Sequence, residues 1–402
     1  MHPALEPADV RRLLLVALCA LVVFTYGLGA GALWDHDETT YTQVAREMLQ
    51  RRDPISLYVN GELWFDKPPL FMWLQALTGS VFGFTTFTAR IWSAISGVAA
   101  VAATFLIARL LHGSLAALIA AAVAATTVQF LASARTAILD PILLACMLLA
   151  FYMYLVGHTT GDRRAYVWAW MWAGWATLAK GPIGLALPAM AVVALWGVRR
   201  EWWRVREIPL WGVVIYATIG LSWFVVETLR HGTGFLQATV GRFMIGRVFG
   251  VVDNQSGPPW YYIPVLALGG FPWAAFFPSA IVYGLRRRHE LASQVGLVWI
   301  AITFVMFSAS TTKVANYILP VYPFLAMGIA RLCRDALEGL PEAARLVRWA
   351  FGLMFVWVAA FMATAAIVGL VRYPLEVEAL RNPLLVAAGV LAIGPVAALS
   401  CA

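Results

Sequence analysis

The fold of this chain is decided by long apolar runs, one of which covers residues 91–111. This run reads IWSAISGVAAVAATFLIARLL, and Arg109 is its only charged residue. A helix of about 20 apolar residues is long enough to cross the roughly 30 Å of hydrocarbon in a bilayer. The sequence therefore predicts a membrane-spanning helix here.

Comparable runs recur along the whole chain and predict about twelve spans. Of the 402 residues, 61% are hydrophobic and only 12% are charged, a balance that excludes a soluble globular protein. We expect one all-α membrane domain over residues 1–402, with no soluble C-terminal domain. The other runs are 13–33, 115–133, 138–157, 166–180, 182–198, 209–228, 261–284, 292–310, 315–332, 349–371 and 384–402.

The basic residues predict the topology rather than a nucleic-acid partner. The formal net charge is +8, but the arginines are spread over short loops between the apolar runs. The positive-inside rule places these loops in the cytoplasm, so segments 34–90 and 229–260 face outward. In the first of these segments we expect a helix over 39–50 and a short interfacial helix over 70–82. The arginine-rich loops are 11–12, 163–164, 199–206, 286–288 and 331–348.

Lysine is rare in this chain, and its positions are informative. Lys67, Lys180 and Lys313 are the only lysines among 29 basic residues, and each is predicted at the outward end of a span. A compact ammonium group suits a phosphate oxygen, so the three lysines together indicate an anionic ligand. The alternative is that they extend from helix ends into the lipid headgroups.

Carboxylates cluster at the end of the first span in Trp34-Asp35-His36-Asp37-Glu38. An aspartate in a partly desolvated cleft can accept a proton from an attacking hydroxyl group. A divalent metal held by Asp37, Glu38 and Asp66 is a second interpretation, because magnesium and calcium prefer oxygen ligands. The third is an acidic turn that caps the following helix.

Two other outward regions carry charge. Asp140 begins an apolar run, where it pairs with Arg135, caps the helix before Pro141 or takes part in a site. The loop from 230 to 260 combines Arg242 and Arg247 with interfacial aromatic residues. It is either a clamp for a lipid phosphate or an ordinary aromatic belt.

The order of these motifs resembles the GT-C glycosyltransferases of the aminoarabinose (lipid A) transferase and protein O-mannosyltransferase type. The resemblance extends over about residues 30–325 and is specific as a set. Its motifs are Asp37-Glu38 with Tyr41, 45–48, Asn60-Gly61, 65–70, Ala89-Arg90, Arg135 with Asp140, 178–182, 260–262 with Pro272-Trp273, and 307–320.

The resemblance implies a polytopic GT-C fold with interfacial helices in the first periplasmic loop and a polyprenyl-phosphate sugar as donor. It implies that Asp37 is the catalytic acid-base residue and that Lys67, Arg247 and Tyr317 bind the donor phosphate. The cavity residues expected around them are Glu38, Tyr41, Asp66, Asp140, Lys180, Arg242 and Lys313.

The expected function is transfer of a sugar to a lipid, glycan or protein on the periplasmic side, with lipid A modification as one example from the family. A protein O-mannosyltransferase is the alternative within the enzymes. From another class, a transporter or flippase of lipid-linked saccharides would need charged residues along a path through the bilayer centre.

Overall fold

The computed structural model describes residues 5–239, 241, 246, 250 and 255–372, without the side chains of residue 361 and residues 363–372. The expected all-α membrane fold is confirmed. The helices are α1 Pro7–Thr25, α2 His36–Arg51, α3 Leu70–Phe82, α4 Thr86–His112, α5 Ser114–Thr126, α6 Val128–Arg135, α7 Asp140–Thr160, α8 Arg163–Lys180, α9 Ile183–Arg199, α10 Trp211–Tyr216, α11 Ser222–Leu236, α12 Tyr262–Gly269, α13 Phe277–Arg286, α14 Leu291–Ala309, α15 Val321–Leu337 and α16 Pro341–Arg372.

Shorter elements connect these helices. A π-helical turn at Ala217–Leu221 joins α10 to α11, and two-residue strands β1 Tyr58–Val59 and β2 Glu62–Leu63 form an antiparallel hairpin. Short 3₁₀ helices cover Trp202–Glu207, Trp273–Phe276 and Ala315–Ile318.

The chain is a multi-pass membrane protein. Among the described residues, five helices are long and apolar enough to cross a bilayer, or up to seven if each of two bent pairs counts as one span. The predicted count of about twelve is not confirmed. One reason is that α9 has 17 residues, which extend over about 26 Å. The run over 384–402 lies outside the described residues.

Two apolar runs are bent rather than straight. Helices α5 and α6 meet at 64°, and the segments Tyr262–Gly269 and Trp273–Arg286 meet at 116°. At the first bend the N–H of Val128 donates to the carbonyl of Phe271 at 3.0 Å, so the second bend supplies a partner for a backbone group freed by the first.

The first loop predicted to face outward forms a folded layer on the helices. Helix α3 has the predicted bounds, and α2 begins three residues before the predicted start because the carboxylate of Asp35 accepts the N–H of Asp37 at 2.8 Å and caps the helix. The carboxylate of Glu47 accepts the N–H groups of Asn60 and Gly61 at 2.6 and 3.0 Å, which ties α2 to the hairpin turn. This layer presents Asp37 and the Asp66-Lys67 pair to the helix ends beneath it.

Candidate active site

A cavity of about 370 Å³ lies at the predicted outward ends of α7 and α8, beside the start of α3. One part of its wall is polar and is formed by Asp66, Lys67, Asp140, Lys180, Ser310, Asn316 and Tyr317. The rest is apolar and is formed by Pro68, Leu143, Leu144, Met147, Pro182, Ile183, Ala186, Leu187, Met306, Phe307, Leu319 and Pro320. A wall divided in this way suits a ligand with a charged head and an apolar tail.

An ion pair between Lys180 and Asp140 forms one side of the polar wall. The Lys180 ammonium lies 2.6 Å from Oδ1 of Asp140, and both side chains are nearly buried. Lys180 is the last residue of α8, which stops at Gly181 because that residue adopts a φ of +89°. Asp140 is the first residue of α7, so two helix ends supply the pair.

Tyr317 lies beside this pair. The Lys180 ammonium is 5.2 Å from the centre of its ring, a distance suited to a cation–π interaction. Tyr317 belongs to the 3₁₀ turn that precedes α15.

A second pair forms between adjacent residues. The Lys67 ammonium lies 2.5 Å from Oδ1 of Asp66, with side-chain exposures of 9% and 16%. The preceding carbonyl, that of Phe65, accepts the hydroxyl of Thr239 at 2.9 Å, and Pro68 and Pro69 lead into α3. The backbone around Lys67 is therefore restrained on both sides.

Asp37 lies in the first turn of α2, and its side chain is half exposed. Partial removal of its carboxyl group from water raises the pKa of Asp37, the Lys67 and Lys180 ammonium groups lower it, and the Asp140 and Asp35 carboxylates raise it, with a net increase. Asp37 is not among the residues that line the cavity, but its carboxyl group is close enough to interact with both ion pairs.

Tyr41 follows Asp37 by one helical turn and is buried. Burial raises the pKa of Tyr41, and the carboxylates of Asp37, Asp66 and Asp140 raise it further. The structure thus brings the predicted residues Asp37, Tyr41, Asp66, Lys67, Asp140, Lys180 and Tyr317 into one neighbourhood.

Glu38 has a different place from the one predicted. It is fully buried away from the cavity wall, and its two oxygens accept from Nε and Nη2 of Arg90 at 2.7 and 2.9 Å. The N–H groups of Ala137 and Trp34 also donate to it, at 2.7 and 3.2 Å. Burial raises the pKa of Glu38, but hydrogen bonds from Arg90 and these two N–H groups hold it below its usual value.

The proposed metal site does not form. Within the described part of the chain, no group of three His, Cys, Asp or Glu side chains is placed to hold a metal ion. Glu38 is bound to Arg90, and Asp66 is bound to Lys67, so neither carboxylate joins Asp37 as a ligand. The structure does not support Asp37, Glu38 and Asp66 as a metal-binding set.

Two predicted basic residues have structural partners instead. The buried ammonium of Lys313 donates to the carbonyls of Phe307, Ser308 and Ser310 at 3.0, 2.6 and 2.5 Å, at the C-terminal end of α14, and it does not line the cavity. Arg135 does not pair with Asp140, because it donates to the carbonyls of Val23 and Phe24 at 2.9 and 3.2 Å. Each cation satisfies carbonyls at or near a helix end.

The sequence did not predict two polar residues of the cavity wall, Ser310 and Asn316. Two residues that it did predict could not be tested. Asn316 lines the cavity, and the only signal for it in the sequence is its place directly before Tyr317. Arg242 and Arg247 lie outside the described residues.

Comparisons with known proteins agree with this architecture. A family model described as dolichyl-phosphate-mannose-protein mannosyltransferase matches residues 66–225. The undecaprenyl phosphate-alpha-4-amino-4-deoxy-L-arabinose arabinosyl transferase of Yersinia enterocolitica is 27% identical over 355 residues, which cover 86% of this chain and 63% of the relative. The chain thus spans under two thirds of that relative's length.

Solved structures show the same fold. ArnT from Cupriavidus metallidurans, in its crystal structure bound to undecaprenyl phosphate, has a TM-score of 0.73 and 25% identity over 96% of this chain and 77% of ArnT. The apo oligosaccharyltransferase of Archaeoglobus fulgidus has a TM-score of 0.55 at 15% identity, over 87% of this chain and 55% of its own, and shares the fold alone. Fold, family model and relatives agree, and the chain has the GT-C fold of these membrane glycosyltransferases.

Proposed function

We propose that this protein transfers a single sugar from a polyprenyl-phosphate donor to an acceptor on the periplasmic side of a bacterial inner membrane. The observation that carries the proposal is a cavity in which two lysine–aspartate pairs lie above an apolar wall, with Asp37 near both pairs. ArnT bound to undecaprenyl phosphate gives independent support, because its fold is shared over 96% of this chain.

The ammonium groups of Lys67 and Lys180 bind the phosphate of the donor lipid. Each is held by one aspartate in a nearly buried site, where an ammonium without a partner would be costly. An incoming phosphate oxygen shares the ammonium of Lys67 with Asp66 and takes up the charge that develops as the sugar leaves. Arg247 is a further phosphate ligand predicted from the sequence alone, and Tyr317 forms the neighbouring wall.

The reaction is a single displacement at the anomeric carbon. The acceptor oxygen forms a bond to this carbon as the bond from the carbon to the phosphate oxygen breaks, and the bonding electrons leave with the polyprenyl phosphate. The proton of the acceptor hydroxyl group passes to the Asp37 carboxylate. A raised pKa makes this carboxylate a stronger base than an ordinary aspartate.

The apolar part of the cavity wall binds the polyprenyl chain of the donor. Leu143, Leu144 and Met147 continue along α7 from Asp140, and Ile183 and Leu187 face the cavity from α9. A prenyl chain beside these side chains stays out of water while its phosphate reaches the lysines.

The family model also favours a second acceptor class, because its description names protein mannosyltransferases. A protein O-mannosyltransferase would use the same donor site and differ in the acceptor. A transporter is disfavoured because the cavity's charged residues gather at one set of helix ends instead of following a path across the bilayer.

Mass spectrometry of envelope lipids, glycans and proteins tests the proposal. Cells would carry the wild-type protein, no protein, or Asp37→Asn or Lys67→Gln at matched expression. We expect a sugar-sized mass to disappear in the deletion and in both variants, and its carrier identifies the acceptor class.

Glu62→Gln provides a matched control, because Glu62 is an exposed carboxylate in the same loop, on the hairpin. It should retain the wild-type spectrum. An envelope that is unchanged in the deletion strain would overturn the transferase proposal, and full activity of both site variants would overturn the assigned residues.

A further inference from the structure

Asn316 is a polar residue of the cavity wall to which the steps above give no part. It belongs to the 3₁₀ turn Ala315–Ile318 and directly precedes Tyr317. Its amide oxygen accepts a hydrogen bond from Nε2 of Gln129 at 2.6 Å. In the described part of the chain its amide nitrogen has no hydrogen-bond partner, although an amide in a ligand cavity has two N–H groups to donate.

The position of Gln129 is fixed by the bend between α5 and α6. Gln129 is the second residue of α6, and the preceding N–H, that of Val128, is bound to the carbonyl of Phe271. A polar side chain in a predicted apolar span is costly unless it has a partner, and Asn316 supplies that partner.

Gly269 leaves room for this arrangement. A Cβ atom at Gly269 would lie 2.9 Å from Cβ of Gln129 and 2.5 Å from the hydroxyl oxygen of Tyr322. Real side chains do not approach so closely, so a side chain at this position would displace Gln129 or Tyr322. The pair between Gln129 and Asn316 is therefore held by packing from two bent segments.

We infer that Asn316 reads the sugar of the donor, donating an N–H hydrogen bond to one of its hydroxyl oxygens, and that Gln129 is a positioning residue that keeps this nitrogen toward the cavity. The inference rests on the proposed function. Lysines 67 and 180 already supply cations for the phosphate, whereas a neutral amide beside the Tyr317 ring suits an uncharged, oxygen-rich sugar. A site built to hydrogen-bond a hydroxyl group discriminates strongly between related sugars.

The test compares binding of two probes to purified, detergent-solubilised full chain. One probe is undecaprenyl phosphate, and the other is undecaprenyl phosphate that carries aminoarabinose or mannose. Asn316→Ala should weaken binding of the sugar-loaded lipid roughly three- to tenfold, the loss of one hydrogen bond. Binding of undecaprenyl phosphate should stay at the wild-type level.

Gln129→Glu gives the sharper test of orientation, because it preserves size and replaces the donor with an acceptor. A carboxylate at 129 attracts the Asn316 nitrogen and turns the amide oxygen to the cavity. This variant should bind the sugar-loaded lipid as weakly as Asn316→Ala, and the double variant should be no weaker than either. A merely structural role would give additive losses on both probes.

Three results would overturn the inference. If Asn316→Ala weakened binding of both probes equally, Asn316 would contact the phosphate and not the sugar. If Asn316→Ala left binding unchanged, Asn316 would not contact the lipid. If the binding losses of Asn316→Ala and Gln129→Glu were additive, the two residues would act independently. The binding measurements need no turnover. A wild-type chain that distinguishes the two probes but transfers no sugar would count against the proposed function and leave the role of Asn316 decided by the variants.

Discussion

Glu38 and Arg90 form a buried ion pair with two hydrogen bonds, at 2.7 and 2.9 Å. The pair joins the first turn of α2 to α4, and Glu38 also accepts the N–H of Ala137, three residues before Asp140. Asp37 and Asp140 are therefore positioned through the same carboxylate. The acidic cluster contains a structural carboxylate directly beside the candidate catalytic one.

Glu38→Ala should strongly destabilise the protein, because it leaves the Arg90 guanidinium buried without its carboxylate. Breaking one partner of a buried pair costs about 3–5 kcal/mol in free energy of unfolding. Thermal unfolding in detergent would measure the loss. The double change Glu38→Met with Arg90→Met should be less destabilising than Glu38→Ala, and an equal or larger loss in the double variant would argue against the pair.

The same pair predicts how stability depends on pH. The pKa of Glu38 is lowered in the folded state from an ordinary value of 4.5, so its contribution is fully present above that value. As the pH falls below about 4.5 towards the folded-state pKa, protonation of Glu38 should remove this contribution and lower the unfolding temperature. The Glu38→Met, Arg90→Met variant should show a smaller decrease over this range.

Asp35→Asn should move the acidic limb of the pH–rate profile to lower pH. Asp35 raises the pKa of Asp37, so removing its charge lowers that pKa and keeps the Asp37 carboxylate ionised in more acidic solution. Asparagine is an equally good helix cap, so the start of α2 is retained. The measurement is kcat/KM against pH with saturating acceptor.

Asp162→Asn is the control for this experiment. Asp162 caps α8 and accepts the N–H of Arg164 at 2.9 Å, at the opposite end of that helix from Lys180. It has the same helix-capping role as Asp35, but it lies at the end of α8 that is remote from the candidate site. A shift of equal size in both variants would contradict an effect of local charge on Asp37.

Because Lys180 and Asp140 form an ion pair, we expect the stability losses of their single variants to be non-additive in the double variant. Lys180→Met leaves the Asp140 carboxylate nearly buried and without its ammonium partner. Asp140→Asn leaves the Lys180 ammonium nearly buried and without its carboxylate partner. Each single variant should lose about 3–5 kcal/mol of stability. The double variant should be more stable than Lys180→Met alone, while its transferase activity stays absent. A double variant whose loss equals the sum of the two single losses would show that the pair is not coupled.

Much of the fold and part of the site could be predicted from sequence, because the signals are local. Apolar runs give the helices, and α3 has the bounds that its sequence predicts. The site residues Lys67, Asp140 and Lys180 lie beside Pro or Gly at helix ends, where polar groups in a membrane protein collect.

The partners of the charged residues could not be predicted, because they are set by distant contacts. Glu38 and Arg90 are 52 residues apart, and Gln129 and Asn316 are 187 residues apart. A pair between Arg135 and the nearby Asp140 is one of three alternatives that the sequence leaves open, but Arg135 binds carbonyls at the end of α1. Lys313 satisfies carbonyls of the neighbouring helix end, a role that its lysine identity does not reveal.

The last prediction concerns Ser56, which links the first loop predicted to face outward to α11. Its hydroxyl donates to Oε1 of Glu227 at 2.8 Å and lies 2.9 Å from Nε2 of His231, while Arg230 contacts it at 3.2 Å. Glu227 is fully buried, so losing this hydroxyl leaves its carboxylate less satisfied. Ser56→Ala should therefore cost about 1–3 kcal/mol of stability.

Ser56→Thr retains the hydroxyl and serves as the matched variant. Because Thr239, beyond the end of α11, holds the carbonyl of Phe65 next to the Asp66-Lys67 pair, loosening α11 from the loop should also disturb Lys67. We expect Ser56→Ala to weaken binding of undecaprenyl phosphate and Ser56→Thr to retain most of it. Normal lipid binding in a destabilised Ser56→Ala protein would show that the contact stabilises the fold without positioning Lys67.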